Sequence, residues 1–204
     1  MTTEHIRRPR TVVANIALSL DGRVTGPGGE YDGSWVVPHA LTRGARSHMV
    51  AVTGTATTAL LGRKNYEGFA GFWPAVADDE DADPDDRTFA RWLNDVDKIV
   101  FSGTLGQTDW DNARLATTDP ATAVKQLRKE EGGDIIVLAS SSVIRQLLEA
   151  DEVDRLSITQ CPELLGGGAR LFPDGTAASW SLTAAHTTDS SAICLLYDRN
   201  RANQ

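Results

Sequence analysis

Four short clusters combine hydroxyl, carboxylate and cationic groups in patterns that suit a phosphorylated ligand: Ser19-Leu20-Asp21-Gly22, Gly62-Arg63-Lys64-Asn65, Ser102-Gly103-Thr104 and Ser140-Ser141-Ser142. Arg63-Lys64 is the basic pair among them. Cations beside the free N–H groups of a helix start can clamp phosphate through charge and hydrogen bonds. The same residues equally suit a solvated helix end in which Arg63 pairs with Glu67 one turn on. Three serines leading into an apolar helical run gather hydroxyls and N–H donors at the positive end of that helix, a seat for pyrophosphate. Ordinary N-capping by Ser141 or Ser142 accounts for them as well. Asp21-Gly22 is a common turn dipeptide, so its carboxylate serves either the turn or a substrate, by orienting it or relaying a proton. Asp32 and His39 compete for that role, and Trp35, close to the first long loop, is a candidate pocket wall.

Other chemistries find less support. His39 and His48 are nine residues apart, which on an unbroken helix puts them on opposite faces. His186 falls in an alternating strand pattern and His5 in an N-terminal tail, so no metal site is expected. Neither Gly26-Pro27-Gly28-Gly29 nor Gly166-Gly167-Gly168 opens a helix after a strand, which removes the dinucleotide fingerprint, and no Walker loop or nucleophile-elbow serine occurs. The chain carries 28 acidic and 20 basic residues, for a formal charge of −8. That balance disfavours nucleic acid and anionic membrane surfaces as partners. Seven of the nine residues from Asp78 to Asp86 are acidic, which predicts a solvated loop and leaves the remainder close to neutral. Two cysteines in 204 residues, Cys161 and Cys194, both in strand-like flanks, read as packed thiols of a reduced, cytoplasmic protein. No apolar run has signal-peptide or membrane-spanning character.

The elements that must position these clusters follow from hydrophobic period and turn residues. Strands are expected at 11–18, 58–62, 98–102, 113–117, 134–139 and 155–161, the fifth an uninterrupted apolar run of the kind covered on both faces. Helices are expected from Pro38 through Val52, from Tyr66 to Ala77, from Arg87 to Val96, from Asp119-Pro120 through Glu131, and after the serines to about Ala150. SLTAAHT and AICLLYD flank a turn and predict a closing antiparallel hairpin. Strand–helix alternation with that hairpin implies one α/β domain over 11–200 on a mostly parallel, mixed sheet, with residues 1–10 as a flexible tail. In such sheets ligands bind beyond the carboxyl ends of the strands, where all four clusters fall.

Three longer segments, SLDGRVTGPGG, LLGRKNYEGFAGFWP and DIIVLASSSVIRQLLEADEVDRLSITQCPELLGGGARLFPDG, occur in this order and resemble the dihydrofolate-reductase-like family. The similarity spans roughly residues 11–198 and is nearest to the reductase domain of bifunctional riboflavin-biosynthesis deaminase-reductases and its stand-alone relatives. The resemblance implies a central mixed sheet flanked by helices, a homodimer, and NADPH bound in extended form along the carboxyl edge of the sheet. Gly62, Arg63 and Lys64 would then lie along the cofactor phosphates, Ser102, Gly103 and Thr104 at the adenosine 2′-phosphate, and Ser140, Ser141, Ser142, Val143 and Ile144 at the pyrophosphate. Ser19, Asp21 and Trp35 would face the nicotinamide and a small-molecule substrate. Relatives place glycines where this chain has Ser140-Ser141. The helix HALTRGARSHMVAV lacks the carboxylate that borders the pterin in dihydrofolate reductases proper, so folate is not the implied substrate. The implied activity is NADPH-dependent reduction of a C=N or C=O group in a small polar heterocycle. The alternatives are 5-amino-6-(5-phosphoribosylamino)uracil reduction, with Arg170 or Arg43 holding the ribose phosphate, and a non-catalytic dimeric nucleotide-binding protein.

Overall fold

The computed structural model describes residues 10–172 and 177–201. Eight strands form one sheet: β1 (Val12–Leu18), β2 (Ala56–Gly62), β3 (Asp97–Phe101), β4 (Ala113–Leu115), β5 (Asp134–Leu138), β6 (Arg155–Gln160), β7 (Trp180–Thr187) and β8 (Ile193–Arg199). Their order is β4-β3-β2-β5-β1-β6-β8-β7. All neighbours run parallel except β8, antiparallel to both β6 and β7. The expected α/β fold with a C-terminal antiparallel hairpin is therefore present. β5 inserts between β2 and β1, so the ends of β3, β2, β5 and β1 stand side by side across about 14 Å at the usual strand spacing.

Alternation along each strand divides the core. Val12, Ala14, Ile16 and Leu18 of β1 face the helices α5 (Pro120–Leu127) and α6 (Ser141–Glu149), packing with Val124, Val143, Ile144 and Leu147. Val13, with Leu61, Ile136 and Leu138, faces the opposite layer, formed by α2 (Arg43–Thr53), α3 (Arg63–Val76) and α4 (Pro84–Asp95). Uninterrupted apolar strands are what two covered faces require. Lys98 of β3 is fully buried, and its ammonium caps α4 by donating to the carbonyls of Leu93 (2.8 Å), Asn94 (3.1 Å) and Val96 (2.8 Å).

Four expectations need correction. The helix expected from Pro38 through Val52 is broken: α1 (Val37–Ala40) stops, and Thr42 caps α2 by accepting from Ala45 N–H. A threonine that can cap outweighs continuation of the apolar period. The acidic tract is only partly a loop, because Asp83 caps α4 and Asp85 and Asp86 lie in its first turn, where carboxylates complement the helix dipole. Arg46 of α2 pairs with Asp86 at 2.9 Å and Ser47 donates to Asp85 at 2.7 Å, so the tract is fastened to the neighbouring helix. Arg10 does not belong to a tail. It is buried and donates to Gly133 O and to the hydroxyls of Thr57 and Thr58; residues 1–9 lie outside the described residues. Finally, α3 begins at Arg63 and α5 ends at Leu127, which places Arg63-Lys64 inside the first helical turn.

Candidate active site

The carboxyl edge of β3, β2, β5 and β1 carries all four clusters in a row. At its centre the ends of β2 and β5 touch: a Cβ on Gly62 would lie 3.6 Å from Ser140 Oγ and 3.7 Å from Ser142 Oγ. Ser140 Oγ accepts from Gly62 N–H (2.8 Å) and from Asn65 Nδ2 (3.1 Å), and donates to Leu138 O (2.8 Å). Ser140 is thus a buried strut between two strand ends, and the positive φ of the turn sits one residue earlier, at Ala139 (48°). Ser141 and Ser142 are different. Among the described residues neither hydroxyl has a partner, and the N–H groups of Ser141, Ser142 and Val143 are left open as the first turn of α6 leaves them. Ile144 is committed on both counts: its side chain is core and its N–H bonds Ser140 O at 2.9 Å.

The basic pair is present but engaged. Arg63 donates to Glu67 at 2.9 Å, and Glu67, with Tyr31 beside it, holds the guanidinium pKa up. Lys64 pairs with Glu30 and lies over the Tyr31 ring at 4.9 Å. Both pairs are partly exposed, so an incoming phosphate competes against contacts worth only about 0–1 kcal/mol each. On β3, Ser102 Oγ accepts from Thr104 N–H (3.1 Å) and Leu105 N–H (2.8 Å), closing a turn that leaves Gly103 and Thr104 exposed.

At the end of β1 the polar groups form a clasp. Ser19 is fully buried and donates to Asp21 Oδ1 at 2.7 Å, while Asp21 also accepts from Leu165 N–H and Gly166 N–H at 3.1 Å each. The Ser19 hydroxyl, followed by those backbone donors, holds the Asp21 carboxyl far below the usual carboxylate range. Such a group stays ionised at neutral pH, and its oxygens are taken up in holding the loop. The clasp explains the glycine run: a Cβ on Gly168 would meet Thr25 O at 2.0 Å, and φ there is +91°. Asp32 is likewise structural, accepting from Gly28 N–H at 3.0 Å.

Among the described residues, Trp35 Nε1 and His39 Nδ1 are buried without a partner. His39 Nε2 meets Glu163 Oε1 at 3.0 Å, and the Glu163 backbone receives Leu20 N–H at 2.8 Å. Glu163 was not among the residues singled out from sequence, yet it follows the end of β6 and obeys the same strand-end criterion as the other four clusters. Glu30 had no comparable signal, while Asn65 belongs to the second cluster but was given no role of its own there. Arg43 and Arg170 are exposed.

A family model, the RibD C-terminal domain, matches residues 10–195. The chain belongs to this family. A curated relative, uncharacterized protein YyaP of Bacillus subtilis (strain 168), is 26% identical over 196 residues, covering 95% of this chain and 97% of its own. Among solved structures, a putative riboflavin biosynthesis protein from Shewanella sp. PV-4 superposes with a TM-score of 0.68 at 21% identity, covering 94% of this chain and 99% of its own. A diaminohydroxyphosphoribosylaminopyrimidine deaminase/5-amino-6-(5-phosphoribosylamino)uracil reductase from Thermotoga maritima gives 0.64 at 14% identity, over 94% of this chain and 57% of its own. Dihydrofolate reductase from Enterococcus faecalis, complexed with NADP(H), gives 0.58 at 18% identity, over 94% and 97%. The fold is dihydrofolate-reductase-like. Among the described residues no helix is long and apolar enough to cross a membrane.

Proposed function

We propose that this member of the RibD C-terminal domain family is an NADPH-dependent reductase of a C=N or C=O group in a small polar heterocycle. The observation that carries the reading is the row of strand ends in which the open N–H groups of Ser141, Ser142 and Val143 lie next to Gly62 and the cations Arg63 and Lys64. Open N–H donors at a helix start and adjacent cations fit a pyrophosphate. Gly103 and Thr104, exposed beyond β3, would take the adenosine end. When bound, the nicotinamide supplies the hydride, and the protein contributes orientation and electrostatics.

On the substrate side the roles divide by which groups are already occupied. Ser19 and Asp21 are positioning residues that hold the first loop against residues 165–168. His39 is the group placed to hold a proton, with Glu163 orienting the imidazole through Nε2 and Nδ1 left for a substrate atom. Trp35 Nε1 is a second donor without a protein acceptor. The family and the Thermotoga enzyme favour 5-amino-6-(5-phosphoribosylamino)uracil as one substrate to test, with exposed Arg43 or Arg170 available for its phosphate. Unpaired on one side and exposed over seven consecutive residues, β7 is the edge on which a homodimer would form.

The deciding experiment titrates the purified protein with NADPH and NADH, by nicotinamide fluorescence and calorimetry, beside the double variant Arg63→Ala/Lys64→Ala. NADPH-selective binding, weakened about tenfold or more in the variant, is expected from the loss of two phosphate contacts. No binding of either nucleotide by the wild type would refute the reading. NADPH binding without turnover across a substrate panel would leave a nucleotide-binding protein.

A further inference from the structure

Away from the β3-β2-β5-β1 edge, α2 lies against the β6-β8-β7 end of the sheet, and three residues with metal-ligating side chains meet there. His186 of β7 and Cys194 of β8 are directly opposed in the antiparallel ladder, and His48 of α2 packs onto the pair. A ligand atom from each residue lies within 4.8 Å of the other two. The two imidazoles are 5.2 Å apart between centroids and tilted by 55°, so they are not stacked. We propose that His48, His186 and Cys194 form a zinc site that pins the C-terminal hairpin to α2.

The ligand set suits that ion. Zinc takes imidazole nitrogen at about 2.0–2.1 Å and thiolate sulfur at about 2.3 Å in tetrahedral arrays, whose ligand atoms lie about 3.3–3.8 Å apart. The observed spacing, 4.8 Å at most, must close by little more than about 1 Å. His48 has the outer-shell support typical of a bound histidine: its Nε2 meets Ser157 Oγ at 2.8 Å, and Ser157 Oγ accepts from Asn15 Nδ2 at 2.9 Å. The Nδ1 of His48 has no hydrogen-bond partner among the described residues. Imidazole ligates zinc in its neutral form, through the nitrogen that the outer-shell bond leaves free. Burial pushes the Cys194 thiol up, so zinc displaces the thiol proton to solvent as the Zn–S bond forms. The exposed side of the site, at His186, leaves a fourth position for water.

The test uses untagged full-length protein, stripped of metal with a chelator and titrated with Co²⁺ alone. The expected result is a single equivalent per chain with a thiolate-to-cobalt charge-transfer band, bleached when Zn²⁺ replaces the cobalt. Cys194→Ser loses the band. His186→Ala, a change at an exposed position that leaves the far-ultraviolet dichroism unaltered, weakens uptake beyond the about 10–100-fold effect of losing an outer-shell partner. Zinc at about 100 times its Kd raises Tm by about 5–10 °C in the wild type and not in the variants. A wild type without the thiolate band, or with uptake unchanged by His186→Ala, overturns the proposal. The outcome is independent of whether the distant edge binds NADPH.

Discussion

Ser140→Ala separates what the serine turn does for the fold from what it offers a ligand. The Ser140 hydroxyl sits between three groups: Gly62 N–H at 2.8 Å, Leu138 O at 2.8 Å and Asn65 Nδ2 at 3.1 Å. Asn65 also reaches Leu138 O at 3.4 Å, so these two retain a weak bond to each other after the change. Gly62 N–H does not. An orphaned backbone donor at a largely buried strand end costs about 1–3 kcal/mol, and loss of the bond to Leu138 adds about 1. A total of about 2–4 kcal/mol, at about 2–4 °C per kcal/mol for a chain of this size, lowers Tm by about 4–16 °C. Ser142 supplies the control, since its hydroxyl is exposed and unpartnered, and Ser142→Ala should stay within about 0.5 kcal/mol of the wild type. Scanning calorimetry of both variants, followed by NADPH titration of each below its transition, reads the two roles separately. Ser142→Ala weakens NADPH binding with Tm unchanged; Ser140→Ala lowers Tm first. Equal Tm values for the two variants, or a Ser140→Ala shift below about 2 °C, would refute the assignment of Ser140 as a strut.

Asp21→Asn keeps the size of the clasp but removes the charge that four donors address, the Arg23 guanidinium among them, so it should loosen the loop at 165–168 and raise proteolytic nicking there. Because the folded carboxyl is depressed, its contribution is present above the ordinary carboxylate pKa and lost only in strong acid, so the pH profile of turnover between about pH 5 and pH 8 should not shift in this variant. Glu30→Gln frees Lys64 from its carboxylate, and NADPH should bind about two- to fivefold more tightly at low salt, with the gain fading as ionic strength rises; a weaker Kd would show that Glu30 serves the ligand rather than competing with it. His48 titrates at about 4 when folded and about 6.5 when unfolded, so the unfolded chain takes up a proton that the folded one refuses. In chelator, stability therefore falls as pH drops from about 6.5 to about 4, by up to about 3 kcal/mol from this residue, and urea unfolding of His48→Gln should show a correspondingly flatter acid limb.

What sequence reasoning recovers here is local and periodic. The apolar runs at 12–18, 56–62 and 134–138 and the helical face of 143–148 are legible because each element repeats its own burial pattern. The strand-end criterion also locates the four clusters on one edge, since parallel strands all deliver their next residue to the same side. Contacts between distant segments were not legible. Nothing near Asp21 announces that its acceptors are filled from residues 165 and 166, and nothing near His48 announces His186. The break at Leu41-Thr42 and the cap at Asp83 lay within reach, because Thr and Asp before helical runs are N-cap signals, but an apolar period carried across the first and an acidic run masked the second.

The division between occupied and open polar groups also narrows the chemistry. Ser19, Asp21, Ser102 and Ser140 are the residues that a motif comparison would name first, and each spends its side chain on a turn or a strut. Removing any of them would impair function by disturbing the scaffold, so loss of activity in such variants says little about contact with ligand. The groups with spare capacity are Ser141, Ser142 and Thr104, the screened cations Arg63 and Lys64, and the buried nitrogens of Trp35 and His39. Buried nitrogens without partners are costly unless a ligand or water meets them. A ligand or water that meets either nitrogen recovers that cost, which favours a substrate rich in polar atoms over an apolar carbonyl compound.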